Sequence, residues 1–314
     1  MSAAAAILVT GATGFVGTAV VRRLVRHGHP VHGLARRTSD KGRLEGLGVR
    51  WHEGDLLEPA TIERALADFR AAAREEGRSA RVVHCAALIS YRTGDAELAR
   101  CVNVEGTRVV LDACQKHGIE RVVHVSSVVA VGTSRRGDQE LDEDAAFNGA
   151  ELYCDYVTTK RAAEDFALSV SRQLDVVVVN PGAIFGPAPD GSNTARFLVR
   201  IAEGRIGSMA PPGSVAVVGI DDVAEGIRLA LERGRRGRRY LLTESNLRHL
   251  ELLAMAAGEL GVRPIRRTVP TPIWRALVVG AGLWDRVRPS GELTPQALRL
   301  LGVHFRFDSR RARA

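Results

Sequence analysis

The chain has 314 residues, of which 45% are hydrophobic and 25% charged, the balance of a soluble globular protein long enough for one large domain or a domain with a smaller companion. The formal net charge of +8 points towards nucleic acid or membranes in principle, but the arginine clusters at 235–239 and 310–313 carry no interleaved aromatics, so no nucleic-acid groove is expected. Cys85, Cys101, Cys114 and Cys154 show no paired spacing, which excludes a disulfide framework or a cysteine metal site and suits a reducing, cytoplasmic setting. The N-terminus has no basic segment before its apolar run, and the longest late apolar run, 276–284, is too short to span a bilayer, so neither a signal peptide nor an integral membrane segment is expected.

In chain order, the β-branched and apolar run 7–9 reads as a buried strand, and Ala19, Val20 and Leu24 recur at helical spacing after it. Between them stand Gly11, Gly14 and Gly17. A strand, a tight turn and a helix in this order bind a pyrophosphate at the helix N-terminus, where free N–H groups and the helix dipole favour negative charge. Gly11 permits the turn, Gly14 lets backbone approach the phosphates, and Gly17 lets the helix pack on the strand. Thr10, Thr13, Phe15 and Val16 complete this candidate cofactor turn.

The second strand, 31–35, ends in Arg36 and Arg37, with no carboxylate before Asp40. A carboxylate there would accept from the adenosine 2′-hydroxyl of NAD, whereas an arginine pairs a 2′-phosphate. NADP is therefore expected, with Arg36 as the main contact and Arg37 as the second; NAD is the alternative. A third strand at 49–52 leads to Asp55 and Leu56 and a helix over 60–69, for which Asp55 is a reasonable N-cap. A fourth strand at 81–85 ends in Cys85, Ala86 and Ala87, small enough to let a cofactor lie close, followed by Leu88. Asn103 opens the next helix. The fifth strand, 121–125, ends in Ser126 and Ser127, at the carboxyl edge where open parallel sheets bind ligands.

After an acidic loop at 132–151, Tyr156 and Lys160 stand four apart and so share one helix face. A sixth strand over 174–179 runs into Asn180, Pro181, Gly182 and Ile184. Further elements are a strand at 215–220, a helix from Asp221 to about 232, a returning strand at 240–243 and a helix at 247–260. The proline-bounded segment 270–289, with Trp274 and Trp284, reads as ordinary core helix; a substrate lid or a membrane-surface helix are its alternatives.

Several of these stretches together, TGATGFVG at 10–17, HCAA at 84–87, NVEGT at 103–107, YVTTK at 156–160 and DDVA at 221–224, resemble the extended branch of the short-chain dehydrogenase/reductase superfamily (NAD-dependent epimerase/dehydratase-like). The loop and C-terminal pattern is most similar to the 3β-hydroxysteroid dehydrogenase and dihydroflavonol-reductase-like group. The resemblance covers nearly the whole chain. It implies an α/β fold, a Rossmann-type doubly wound parallel sheet with a smaller C-terminal substrate-binding region. Residues 1–182 with 215–245 would hold the cofactor, and 183–214 with 246–314 the substrate. It also implies Asp55 on the adenine amino group, backbone from Pro181 flanking the nicotinamide, and Asn103 holding its helix and a water near the site. Asn180 departs from the family pattern, which has arginine there. Dimers are common in the family through a helix bundle that would include 156–171, so a homodimer is expected by analogy.

The chemistry follows from the residue types. Hydride transfer to a ketone makes an alkoxide that needs a proton. Tyr156 supplies it, and a neighbouring Lys160 ammonium, with an oxidised nicotinamide, is expected to lower its pKa from about 10 towards neutrality. Lys160 would also hold the nicotinamide ribose, and Ser127 would orient the substrate oxygen, with Ser126 as the alternative one residue earlier. Substrate contacts are expected from Leu88, Ser127, Tyr156, Phe185 and Phe197, a mainly apolar set suited to a hydrophobic ketone or secondary alcohol. Three functions fit: an NADP-dependent reductase or dehydrogenase, an NAD-retaining sugar-nucleotide epimerase or dehydratase, and a non-catalytic cofactor-sensing regulator. The intact serine, tyrosine and lysine weigh against the last, and Arg36 and Arg37 against the second.

Overall fold

In a computed structural model of the chain, residues 4–135, 137–187, 193–205, 208–287 and 294–314 are described. Pro289, expected to close the late proline-bounded segment, and residues 188–192 and 206–207 of the expected substrate region lie outside them.

Strands β1 (Ala6–Thr10), β2 (Val31–Ala35), β3 (Arg50–Glu53), β4 (Ala80–His84), β5 (Arg121–Val125), β6 (Val176–Pro181) and β9 (Arg239–Leu242) form one sheet in the order β3-β2-β1-β4-β5-β6-β9. Every adjacent pair is parallel. The valine runs of β5 and β6 are buried throughout because helices cover both faces of this sheet. On one face pack α1 (Phe15–Arg26) and α7 (Ile220–Arg233); on the other pack α2 (Pro59–Glu75), α4 (Gly106–Lys116) and α5 (Asp155–Ser169). The strand order reverses between β1 and β4, which opens a crevice beyond their carboxyl ends.

A second sheet joins β7 (Ala183–Phe185), β8 (Ser214–Gly219) and β10 (Ser245–Arg248). The stretch 215–245, expected with the dinucleotide-binding unit, thus divides: β9 extends the central sheet, while β8 pairs with β7 and β10 outside it. Leu247 pairs with Val215 in that sheet, so the helix expected from 247 begins two residues later as α8 (His249–Glu259). The helix expected over 60–69 runs on to Glu75, carried by the good helix formers Ala71, Ala72 and Ala73. Short α3 (Ala96–Arg100) passes into α4 through a π-helical turn, Cys101–Glu105. Beyond β7 come α6 (Asn193–Ala202), then, after α8, α9 (Thr271–Val287), α10 (Pro295–Leu301) and α11 (Arg310–Arg313). The chain after α10 threads between the 132–151 loop and β8: Ser134 and Ser214 both bridge to His304, and Leu141 bridges to Phe307.

Candidate active site

Above the β1/β4 switch point lies a cleft of about 950 Å³. Its floor begins with the glycine turn. Gly11 sits at φ +65°, and a Cβ on Gly17 would stand 2.0 Å from the Gly11 carbonyl oxygen, so the turn and the first helical coil are in backbone contact. Helix α1 starts at Gly14 with no side-chain cap. Its first-turn N–H groups therefore face the cleft without internal partners. Thr13, Gly14, Phe15 and Val16 line the cleft with Gly11 and Gly17. Thr10 does not line it. Its hydroxyl bonds His84 Nδ1 at 2.7 Å and accepts from the Ala86 N–H at 3.3 Å, tying the ends of β1 and β4 together.

Arg36, at the end of β2, lines the cleft and is exposed; Arg37 is exposed too and is not among the lining residues. Asp55 and Leu56 lie on the same wall. Asp55 does not cap α2, whose N-cap is Glu58; its carboxylate instead accepts from the Leu57 N–H at 3.0 Å. Cys85, Ala86, Ala87 and Leu88 continue the lining, as do Pro181, Gly182 and Ile184. Burial pushes the Cys85 thiol up to about 12, so it is a packed small residue and not a thiolate.

Ser126, Ser127, Tyr156 and Lys160 lie together in this cleft. The Ser127 hydroxyl is close enough to the Tyr156 phenol to favour its ionised form, while Ser126 Oγ is buried without a protein partner among the described residues. Lys160 is buried, and its ammonium donates to the Val125 carbonyl at 2.8 Å. Burial pushes it down to about 8, with Glu164 pulling the other way. The expected lowering of the phenol is not found in this arrangement. Burial pushes Tyr156 up to about 12, the Ser127 hydroxyl opposes this, and Lys160 is not among the groups acting on it.

Asn103, expected in the catalytic set, is off the cleft lining. Its amide accepts from Leu88 N–H at 2.7 Å and donates to the Leu88 carbonyl at 3.0 Å and to Thr159 Oγ1 at 3.1 Å. Both amide donors and one lone pair of its oxygen go to joining the loop after β4 to helix α5, which makes it a positioning residue. Phe185 and Phe197 are also off the lining. Their rings meet edge-to-face at 6.3 Å, and Phe197 packs with Ile201 and Leu253. The ring pair packs α6 against β7.

Other residues stand where substrate contacts were expected. Tyr91 lines the cleft with its ring edge-on to Tyr156 at 5.8 Å, and Leu300, Leu301, Phe305 and His249 close the far wall. The only signal for them in the sequence is the aromatic pair Phe305 and Phe307 near the end of the chain; nothing local marks Tyr91 or Leu300.

Asn180 replaces the family's arginine with a different device. Its amide donates to the Ser127 carbonyl at 3.0 Å and to Glu164 Oε2 at 2.6 Å. Glu164 is fully buried and pairs through Oε1 with Arg239 of β9 at 3.0 Å. The guanidinium thus arrives from the next strand, and the chain Arg239, Glu164, Asn180 reaches the backbone of Ser127.

The groups present fit a dinucleotide. A backbone cradle faces an uncapped helix start, and an unpartnered serine hydroxyl stands beside the tyrosine and lysine. Comparison with known proteins agrees. Residues 7–242 match the model of the NAD dependent epimerase/dehydratase family. The chain is similar to the sterol demethylase protein B of Methylococcus capsulatus, 34% identical over 98% of this chain and 91% of that protein. It is also similar to a putative dihydroflavonol 4-reductase of Synechocystis, 33% identical over 86% and 76%. Among solved structures, a nucleoside-diphosphate-sugar epimerase from Pseudomonas aeruginosa superposes with a TM-score of 0.77 at 25% identity, over 98% of this chain and 90% of that one. The chain belongs to the NAD-dependent epimerase/dehydratase family of extended short-chain dehydrogenases/reductases, on its 3β-hydroxysteroid dehydrogenase and dihydroflavonol-reductase-like branch.

Proposed function

We propose that the protein is an NADP-dependent reductase that converts a ketone of a mainly hydrophobic small molecule to the secondary alcohol, or runs the reverse reaction. The observation that carries this reading is that Tyr156 shares one cleft with Ser127, Lys160, the glycine turn and Arg36. The nicotinamide cofactor supplies the hydride, and the remaining work falls to the chain. The turn at 11–17 and the N–H groups of α1 hold the pyrophosphate, and Arg36 pairs the 2′-phosphate. Lys160, with one donor on Val125, keeps two for ribose hydroxyls. Ser127 orients the substrate oxygen, and Tyr156 hands its phenolic proton to the developing alkoxide.

A phenol pushed up to about 12 is protonated at neutral pH, the form needed to reduce a ketone. The apolar far wall, Leu300, Leu301 and Phe305, suits a bulky hydrophobic substrate. The names of the two curated relatives speak of a sterol and a dihydroflavonol, which supports the same class.

The test is nucleotide exchange followed by a substrate screen. The purified protein is denatured to identify any released nucleotide, and the stripped protein is titrated with NADPH and NADH before hydrophobic ketones are screened. NADPH is expected to bind more tightly. Arg36→Ala should weaken NADPH by roughly tenfold or more, as loss of a charged hydrogen bond does, and leave NADH nearly unchanged; equal losses would refute the 2′-phosphate role. Protein that arrives loaded with NAD would instead favour an internal hydride cycle, and sugar nucleotides would be screened first.

A further inference from the structure

Helix α9 (Thr271–Val287) does not sit in the core as its composition suggests. Trp274 turns inward and donates its indole N–H to the Leu298 carbonyl at 3.1 Å, which fixes one side of the helix against α10. The other side is open: Ile273, Leu277, Leu283 and Trp284 are each half exposed or more, as is Val279. Ile273, Ala276, Leu277, Gly280, Leu283 and Trp284 recur at three- and four-residue intervals and so form a single stripe along the helix.

The surroundings are basic. Between residues 261 and 287 the sequence holds five arginines against a single carboxylate, Asp285. Arg263, Arg266, Arg267 and Arg275 are exposed. Asp285 accepts from the Thr93 hydroxyl at 2.9 Å, which ties the end of α9 to the loop carrying Tyr91. The mouth of the cleft there carries Ile89 and Leu98, which are both exposed and part of its lining. The apolar stripe and the cleft mouth are therefore linked through this loop.

We infer that the α9 stripe, with the arginines that precede it, is a docking face for an anionic lipid surface. The helix is about 26 Å long at 1.5 Å per residue, and no described helix is long and apolar enough to cross a membrane, so it lies on the bilayer and does not span it. Apolar side chains with a tryptophan enter the headgroup boundary, and the arginines pair with anionic headgroups. A lipid surface complements this charge. A second copy of the chain, itself at net +8, would oppose it. The inference rests on this surface alone and not on the reaction in the cleft.

The full chain is mixed with vesicles of phosphatidylcholine alone and of phosphatidylcholine with phosphatidylglycerol, and sedimented. Binding is expected only to the phosphatidylglycerol vesicles, and it should fall with salt. Leu277→Asp should cut binding about tenfold or more, the loss expected for an unburied leucine. Arg266→Glu and Arg267→Glu should each cost about fivefold or more. These positions lie off the cleft lining, so NADPH titration serves as the folding control. Wild-type protein left in the supernatant, or variants that bind as well as wild type, would overturn the inference. So would a solution dimer that Leu277→Asp dissociates without any vesicle binding, which would make the face a contact between copies of the chain.

Discussion

The two walls of the cleft are built by different means. The cofactor wall is backbone: Gly11 and Gly17 in contact, an uncapped helix start, and the small residues Cys85, Ala86 and Ala87 at a strand end. The wall proposed for the substrate is side chains: Tyr91, His249, Leu300, Leu301 and Phe305, drawn from four separate segments of the chain. A backbone wall tolerates almost no substitution at its contact points, whereas a side-chain wall can change residue by residue without moving the fold. The same scaffold can therefore keep its cofactor and change its substrate.

Where the two walls meet, Tyr156→Phe tests the chemistry of both. It should lower turnover about 10³-fold, within the range for a lost general acid, and leave NADPH binding nearly intact, read by stopped-flow NADPH oxidation and fluorescence titration. Full activity would refute the role of the phenol.

Gly17→Ala tests the backbone wall. Helix propensity alone would favour alanine by about 1 kcal/mol, but the added Cβ meets the Gly11 carbonyl oxygen. Nucleotide binding should weaken about a hundredfold as the turn is displaced. Gly258→Ala on α8, where nothing stands within 4 Å, is the control and should raise Tm.

Leu300→Ala tests the side-chain wall. KM for a hydrophobic ketone should rise about tenfold, the size of a lost apolar pocket contact, with NADPH affinity unchanged. A change in NADPH affinity of the same size would show that the walls are not separable.

The smallest effect concerns Lys160, and it appears in stability. Its folded pKa of about 8 lies below the unfolded 10.5. Between these values the unfolded chain binds more protons, so this lysine's contribution rises with pH through that window. In denaturant titrations from pH 7.5 to 9, wild type should gain roughly 1 kcal/mol relative to Lys160→Met. The raised thiol of Cys154 acts in the opposite direction but is common to both proteins and cancels in the difference. Cys85, which feels the Lys160 charge, is replaced by alanine in both proteins to remove its contribution.

Legibility followed the same division. The turn at 11–17, the serine pair after β5 and the Tyr156/Lys160 spacing are local patterns, and the structure brings all of them to one cleft. Arg36 and Arg37 were both legible as residues at a strand end, and the structure places Arg36 on the cleft lining and leaves Arg37 exposed beside it. Phe185 and Phe197 looked like pocket residues by composition, but a ring pair at 6.3 Å spends both on packing. The pKa expectation for Tyr156 combined Lys160 with an oxidised nicotinamide; among the chain's own groups burial dominates the phenol, and the Lys160 ammonium donates to the Val125 carbonyl.

The amino-acid sequence by itself determined the parallel sheet, the glycine turn and the positions of Ser127, Tyr156 and Lys160, because each depends on spacing within a strand, a turn or one helix face. Only the tertiary structure decided three other things. It gave the wall proposed for the substrate to Leu300 and Phe305, carried there by the bridges of Ser134 and Ser214 to His304. It supplied a guanidinium to Glu164 from Arg239 on the neighbouring strand, where the family keeps its arginine at position 180. It left one face of α9 without a cover. Each of these depends on which segments meet across long stretches of chain, and no local pattern encodes such meetings.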